Sequence, residues 1–152
     1  MFDIPRFSRQ KSISGHKLFK KETLAEPVTV LRDHHATVKT IAVHKQSLVT
    51  AGNDKMIFVY YAKSAERVIL RYRVKAHSDW ISAVSLNCRY LLSVSLDSTL
   101  KIWDSSIGVL VSQVDHSISV TCLRANNQFI VTGAVIYQKI NLSILFWSNF
   151  LI

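Results

Sequence analysis

The chain has 152 residues, 49% of them hydrophobic and 19% charged, and a formal charge of +9. That length allows one domain with a real core, and that composition excludes a disordered chain. Its two cysteines, Cys88 and Cys122, form no CxxC pair, so the sequence shows neither a zinc motif nor a redox motif, and two free thiols in a reducing compartment are expected.

Residues 1–27 form a basic tail. Arg6, Arg9, Lys11, Lys17, Lys20 and Lys21 supply its charge, and its apolar residues keep no helical or strand period. It has no apolar h-region, so it does not read as a secretory signal. Pro27 closes the tail, and Val28–Leu31 alternates into Arg32-Asp33-His34. Short apolar runs with turn chemistry between them then predict antiparallel strands near 37–43, 47–52, 56–61 and 68–74. A second set is predicted near 80–86, 90–95, 99–104 and 109–114, and a third begins near 118–124 and 128–133. After Ala134 the pattern fails, and residues 135–152 read as a divergent apolar tail. Two readings of that tail stay open. With a five-residue insertion, Asn141 falls on Asp97, Ser143 on Thr99, Phe146 on Ile102 and Trp147 on Trp103; otherwise the segment lies outside the pattern. Gln138, Lys139, Asn141 and Ser143 interrupt it, so it does not supply the roughly 20 apolar residues of a membrane-spanning helix.

The chain repeats itself. A shift of 43 positions brings His77 onto His34, Val84 onto Ile41, Ser93 onto Thr50, Asp97 onto Asp54 and Trp103 onto Tyr60. A shift of 39 the other way brings His77 onto His116, Val84 onto Leu123 and Ser93 onto Thr132. Both periods are close to the roughly 40–45 residues of a four-stranded propeller blade. With its His77 and its closing Trp103-Asp104, the segment Ala76–Asp104 resembles a repeat of the WD-repeat family.

The resemblance implies an all-β fold, a partial β-propeller of four-stranded antiparallel blades. It implies an outer strand of a preceding blade at 28–31, repeat one over 34–74, repeat two over 77–114 and the start of repeat three over 116–134. Closed propellers have typically 4–8 blades, so this chain does not close the ring itself. It reads as a fragment, a short isoform, or a module completed by another chain or by self-association through its open blade.

His, Ser or Thr, and Asp recur together, which raises nucleophilic catalysis. Catalysis needs one special set, whereas here the set recurs, so no catalytic residue is expected. In the family the matching positions form a structural network: His34, Thr50, Asp54 and Tyr60; His77, Ser93, Asp97 and Trp103; His116 and Thr132. Hydrogen bonding among them would satisfy half-buried polar groups. Tyr60 replaces Trp in repeat one, which weakens that network, and Asp33, Ala76 and Asp115 stand where the family usually has Gly. The three His lie in successive repeats, unlike a metal cluster, and no GxGxxG, GxxxxGK[ST] or HExxH occurs. No metal or cofactor is expected.

The resemblance puts partner binding on the face formed by the loops into the first strand and the turns between the second and third. Those positions include Thr37, Lys39, Asn53, Asp79, Trp80, Ser82 and Leu96. Trp80 leads among them because Trp is enriched at interface hot spots, although packing between blades would also employ it. The function implied is a non-catalytic scaffold for other proteins, inside the cell, in cytoplasm or nucleus. The alternatives are a basic propeller module binding RNA or an anionic membrane, and a truncated product without function. The basic residues are scattered over the repeats, so specific nucleic-acid recognition is not expected.

Overall fold

Alternating apolar and polar side chains, broken by tight turns, make eleven antiparallel strands in a computed structural model that describes residues 29–136 and 139–146. The basic segment 1–27, Val28 and Trp147 lie outside the described residues. The first sheet runs β1 (Val38–His44), β2 (Ser47–Gly52), β3 (Met56–Ala62), β4 (Val68–Lys75) in that order. The second runs β5 (Ile81–Leu86), β6 (Tyr90–Ser95), β7 (Thr99–Asp104), β8 (Leu110–Asp115). The third is β9 (Val120–Ala125), β10 (Phe129–Ile136), β11 (Lys139–Phe146). Each sheet is a meander, no sheet closes on itself, and the described residues contain no helix.

Turn chemistry recurs from sheet to sheet. Asn87 Oδ1 accepts from the N–H groups of Arg89 and Tyr90, and Asn126 Oδ1 does the same for Gln128 and Phe129. These side-chain turns start the second strand of sheets two and three. Between second and third strands, Lys55 and Ser98 sit at φ 66° and 68°. A side chain at positive φ is unfavourable, and the preceding Asp holds the turn. Asp54 Oδ1 accepts from Met56 N, and Asp97 Oδ1 from Thr99 N. Gly108, at φ 73°, has no Cβ for a simple reason: one placed there would lie 2.6 Å from the Tyr72 ring. That close approach lets the Tyr72 hydroxyl donate to Ser105 O at 2.8 Å and tie sheet one to sheet two.

The cores lie between sheets. Val49, Ala51, Ile57 and Val59 of sheet one meet Ile81, Val84, Leu91 and Trp103 of sheet two. On the far face of sheet two, Leu92, Val94, Leu100 and Ile102 meet Val120, Leu123 and Ile130 of sheet three. The middle sheet is therefore covered on both faces, which is why β6 reads Leu-Leu-Ser-Val-Ser, with both parities buried.

Two segments differ from the sequence-based expectation. Thr29–Leu31 belongs to no ladder; the described chain has no earlier sheet to which an outer strand could add. The segment after Ala134, set apart as a divergent tail, contributes β11, which pairs with β10 from Ile136↔Lys139 to Phe129↔Phe146. Its register is neither of those expected. Thr132 faces Ser143 as Ser93 faces Lys101, and Ile130 faces Leu145 as Leu91 faces Trp103. Leu145, rather than Trp147, thus takes the place of Trp103. The reason is that β10 runs on past Ala134 instead of stopping for an Asp turn, so ladder pairing and side-chain alternation set the register.

Candidate interaction face and the polar networks beneath it

The His–Asp spacing places each His just before the first strand of its sheet and each Asp in the turn after the second. In sheet two, His77 Nδ1 lies 2.9 Å from Asp97 Oδ2, His77 Nε2 lies 2.8 Å from Ser93 Oγ, and Trp103 Nε1 donates to Ser93 Oγ at 2.9 Å. The network itself assigns the proton: His77 Nδ1–H donates to Asp97, so Nε2 accepts from Ser93, whose oxygen accepts from Trp103. Asp97 also accepts from the Thr99 hydroxyl and from Ser78 N. Burial pushes the Asp97 carboxyl up, but the bonds from Thr99 and Ser78 and the neighbouring His77 outweigh it and hold it at about 2. Burial pulls the His77 imidazole below its ordinary value, against the pull of Asp97. Ser, His and Asp thus stand in relay, yet Ser93 is fully buried and both its bonding directions are taken, so its oxygen has no path to a substrate carbonyl.

Sheet one builds the same set with a change. His34 Nδ1 lies 2.7 Å from Asp54 Oδ2, and His34 Nε2 lies 2.7 Å from Thr50 Oγ1. Tyr60, standing where sheet two has Trp103, sends its hydroxyl to Asp33 Oδ2 at 2.9 Å. Burial first, then the bond to Asp33, raises the Tyr60 hydroxyl to about 12. Sequence reasoning treated Tyr60 as a loss and missed Asp33 as its acceptor. Part of the signal was present: Asp33 stands just before the His of the repeat in which Tyr replaces Trp, although Asp115 precedes His116 in the same way.

Sheet three lacks the carboxylate. His116 Nε2 is buried with no partner among the described residues, and burial lowers its imidazole below the usual value, opposed by Asp115. Thr132 is buried nearby. A cavity of about 270 Å³ is lined by His116, Thr132, Asn141 and Ser143.

Above these networks, five of the seven residues singled out for partner binding come together. Lys39, Asn53, Trp80, Ser82 and Leu96, with Ile81, line a shallow pocket of about 340 Å³ between sheets one and two. Trp80 is 47% exposed, and its backbone is fixed at both ends: its N–H bonds to Asp79 Oδ1 and its C=O accepts from Leu96 N. Ser82 is committed elsewhere, donating to Val120 O and Val94 O and so bridging sheets two and three. Thr37 does not line the pocket; its carbonyl accepts from Asn53 N. Asp79 does not line the pocket and serves to hold Trp80. Lys39 is exposed and has no ion pair among the described residues. No group of His, Cys, Asp and Glu among the described residues is suited to a metal ion.

Three meanders stacked face to face, the first two with a part-buried His–Asp set at one end, define propeller blades, and the comparisons with known proteins agree. Residues 69–104, covering β4 and blade two through β7, match the family described as WD domain, G-beta repeat. This places the segment among the WD repeats. Over 65 residues the chain is 42% identical to WD repeat-containing protein 1 of Mus musculus, covering 41% of this chain and 11% of that protein. Over 63 residues it is 32% identical to Mitochondrial division protein 1 of Aspergillus niger, covering 40% and 10%. The chain thus spans about a tenth of the length of these relatives. The fold matches the computationally designed Ika4 protein with a TM-score of 0.66 at 20% identity, covering 73% of this chain and 68% of that one. It also matches U3-55K with a TM-score of 0.63 at 22% identity, covering 74% and 37%.

Proposed function

We propose that the chain is a non-catalytic protein-interaction scaffold that docks a partner segment in the pocket around Trp80. At the level of the family, WD repeats imply such a role. The observation that carries the site is a half-exposed Trp on a rigid backbone, beside an exposed Lys39 and above Ile81 and Leu96. A pocket of that make takes an apolar side chain flanked by a carboxylate, and the charge of +9 attracts acidic partners at longer range. The exposed free thiols Cys88 and Cys122 suit a reducing compartment, cytoplasmic or nuclear. Trp80→Ala should weaken partner capture by more than about tenfold, the loss expected of a hot-spot anchor, while leaving the far-ultraviolet circular dichroism and the melting temperature unchanged. Lys39→Glu should weaken it as well and flatten its salt dependence. Loss of the fold along with binding would assign Trp80 to the packing between blades and overturn the site.

A further inference from the structure

The described residues build one kind of interface twice and carry two further faces that match none of their own. Ladder registers make the positions equivalent. Leu92, Leu100 and Ile102, by which blade two receives blade three, correspond to Val131, Leu142 and Ile144 on blade three. There, Leu142 is 63% and Ile144 54% exposed. At the other end, Val84, by which blade two enters blade one, corresponds to Ile41, which is 61% exposed.

The edges carry the same message. β4 and β8 each complete one blade and run directly into the first segment of the next, at His77 and His116. The family match is staggered in the same way, beginning in β4 and ending with β7. Blade three has three described strands, with β11 at its edge. Thr29–Asp33, which runs into His34, lies outside any ladder, with Val30 exposed. Counted back from His34 as Val74 is from His77, Leu31 would come opposite Leu142, as Val74 lies opposite Ile57.

We propose that two copies of this chain dock head to tail. The open face of blade three in each copy receives blade one of the other, and Thr29–Asp33 of each adds to β11 of the other as its fourth strand. A heterologous contact that closes makes a ring, and two sets of three sheets give a blade number within the usual range of about 4–8. The second copy is the occupant because both halves of the interface, and the strand that completes it, belong to one sequence. The surfaces are separate from the Trp80 pocket, so neither proposal depends on the other.

A cross-link tests the geometry. Inside the chain, Val84 N donates to Thr40 Oγ1 at 3.2 Å across the interface between blades one and two. The equivalent pair between copies is Ile41 of one and Cys122 of the other. In a Cys88→Ser background, Ile41→Cys should give an oxidised species of twice the 17.3 kDa chain mass, whereas Ile107→Cys, exposed in the β7–β8 turn, should not. In sedimentation the unmodified chain should run as a dimer. Ile144→Lys and Ile41→Lys should each convert it to monomer with the circular dichroism of the parent. The second variant keeps the test open if the first fails to fold. A stable monomer, a dimer untouched by Ile41→Lys, or an open ladder of oligomers after oxidation would each overturn the proposal.

Discussion

At the residue scale, the second network is the most completely satisfied. Asp97 accepts four bonds, from His77, Ser78 N and both the amide and the hydroxyl of Thr99, whereas Asp54 accepts three, from His34, Met56 and, at 3.3 Å, His35. A buried donor left without its acceptor costs about 1–3 kcal/mol. Asp97→Ala should therefore destabilise by about 2–3 kcal/mol and Asp54→Ala by less, an order that thermal melts of the two variants will check. The sequence already suggested this order, but for a different reason. Tyr60 is not a defective Trp; its hydroxyl is satisfied by Asp33. Asp54 matters less because it collects fewer bonds.

The same groups set a pH dependence. His77 and His116 are depressed in the fold, mainly by burial, so the unfolded chain takes up protons first. Their contribution is full above the ordinary imidazole value of about 6.5 and is lost as pH falls below it. Asp97, held at about 2, contributes fully above the ordinary carboxyl value and is lost as pH falls from there through about 2. The melting temperature should therefore fall from pH 7 to pH 5 at constant salt and fall again below pH 4. A flat profile across the first interval would contradict the burial of the two imidazoles.

At the scale of elements, most of the fold was legible. Period-2 alternation and Asn, Asp and Gly turns located the strands of blades one and two, because a half-buried sheet writes its pleat into the sequence. Blade three was legible only to Ala134. Its first turns follow the pattern, but Ile136 stands where Asp would stop β10, and an apolar run without punctuation matches a strand in more than one register. Matching Trp147 to Trp103 by residue type misled by two positions, since backbone pairing rather than residue identity decided the register. Ser82 was singled out for its place on the interaction face, and nothing in the sequence marks the Val120 carbonyl that claims its hydroxyl. Five of the seven face residues nevertheless gather around one pocket, because blade geometry repeats and a position read from one repeat transfers to the next.

At the scale of the molecule, cohesion runs from sheet to sheet rather than within one core. Each blade is stabilised by what covers its faces, as in repeat arrays with nearest-neighbour interfaces. Blade two alone has described blades on both sides. Among the described residues, blades one and three each present an open face, marked by Ile41 and Val43 at one end and by Leu142, Ile144 and Phe146 at the other. The charge of +9 keeps copies apart at low salt, and screening at physiological salt removes much of that barrier. Removing 139–146 would strip a strand from blade three and uncover Ile130 and its neighbours, so truncation there should promote aggregation.

Native-state hydrogen exchange, resolved strand by strand, tests the account of three stacked blades most directly. In the Ile41→Lys variant, which loss of the head-to-tail contact leaves monomeric, amides in β6 and β7, buried between both cores and bonded on both edges, should exchange slowest, with protection approaching the global unfolding free energy. Those of β1 and β11 should exchange sooner. Slowest exchange in β9–β11, or equal protection across all three sheets, would contradict an arrangement in which the second blade holds the other two.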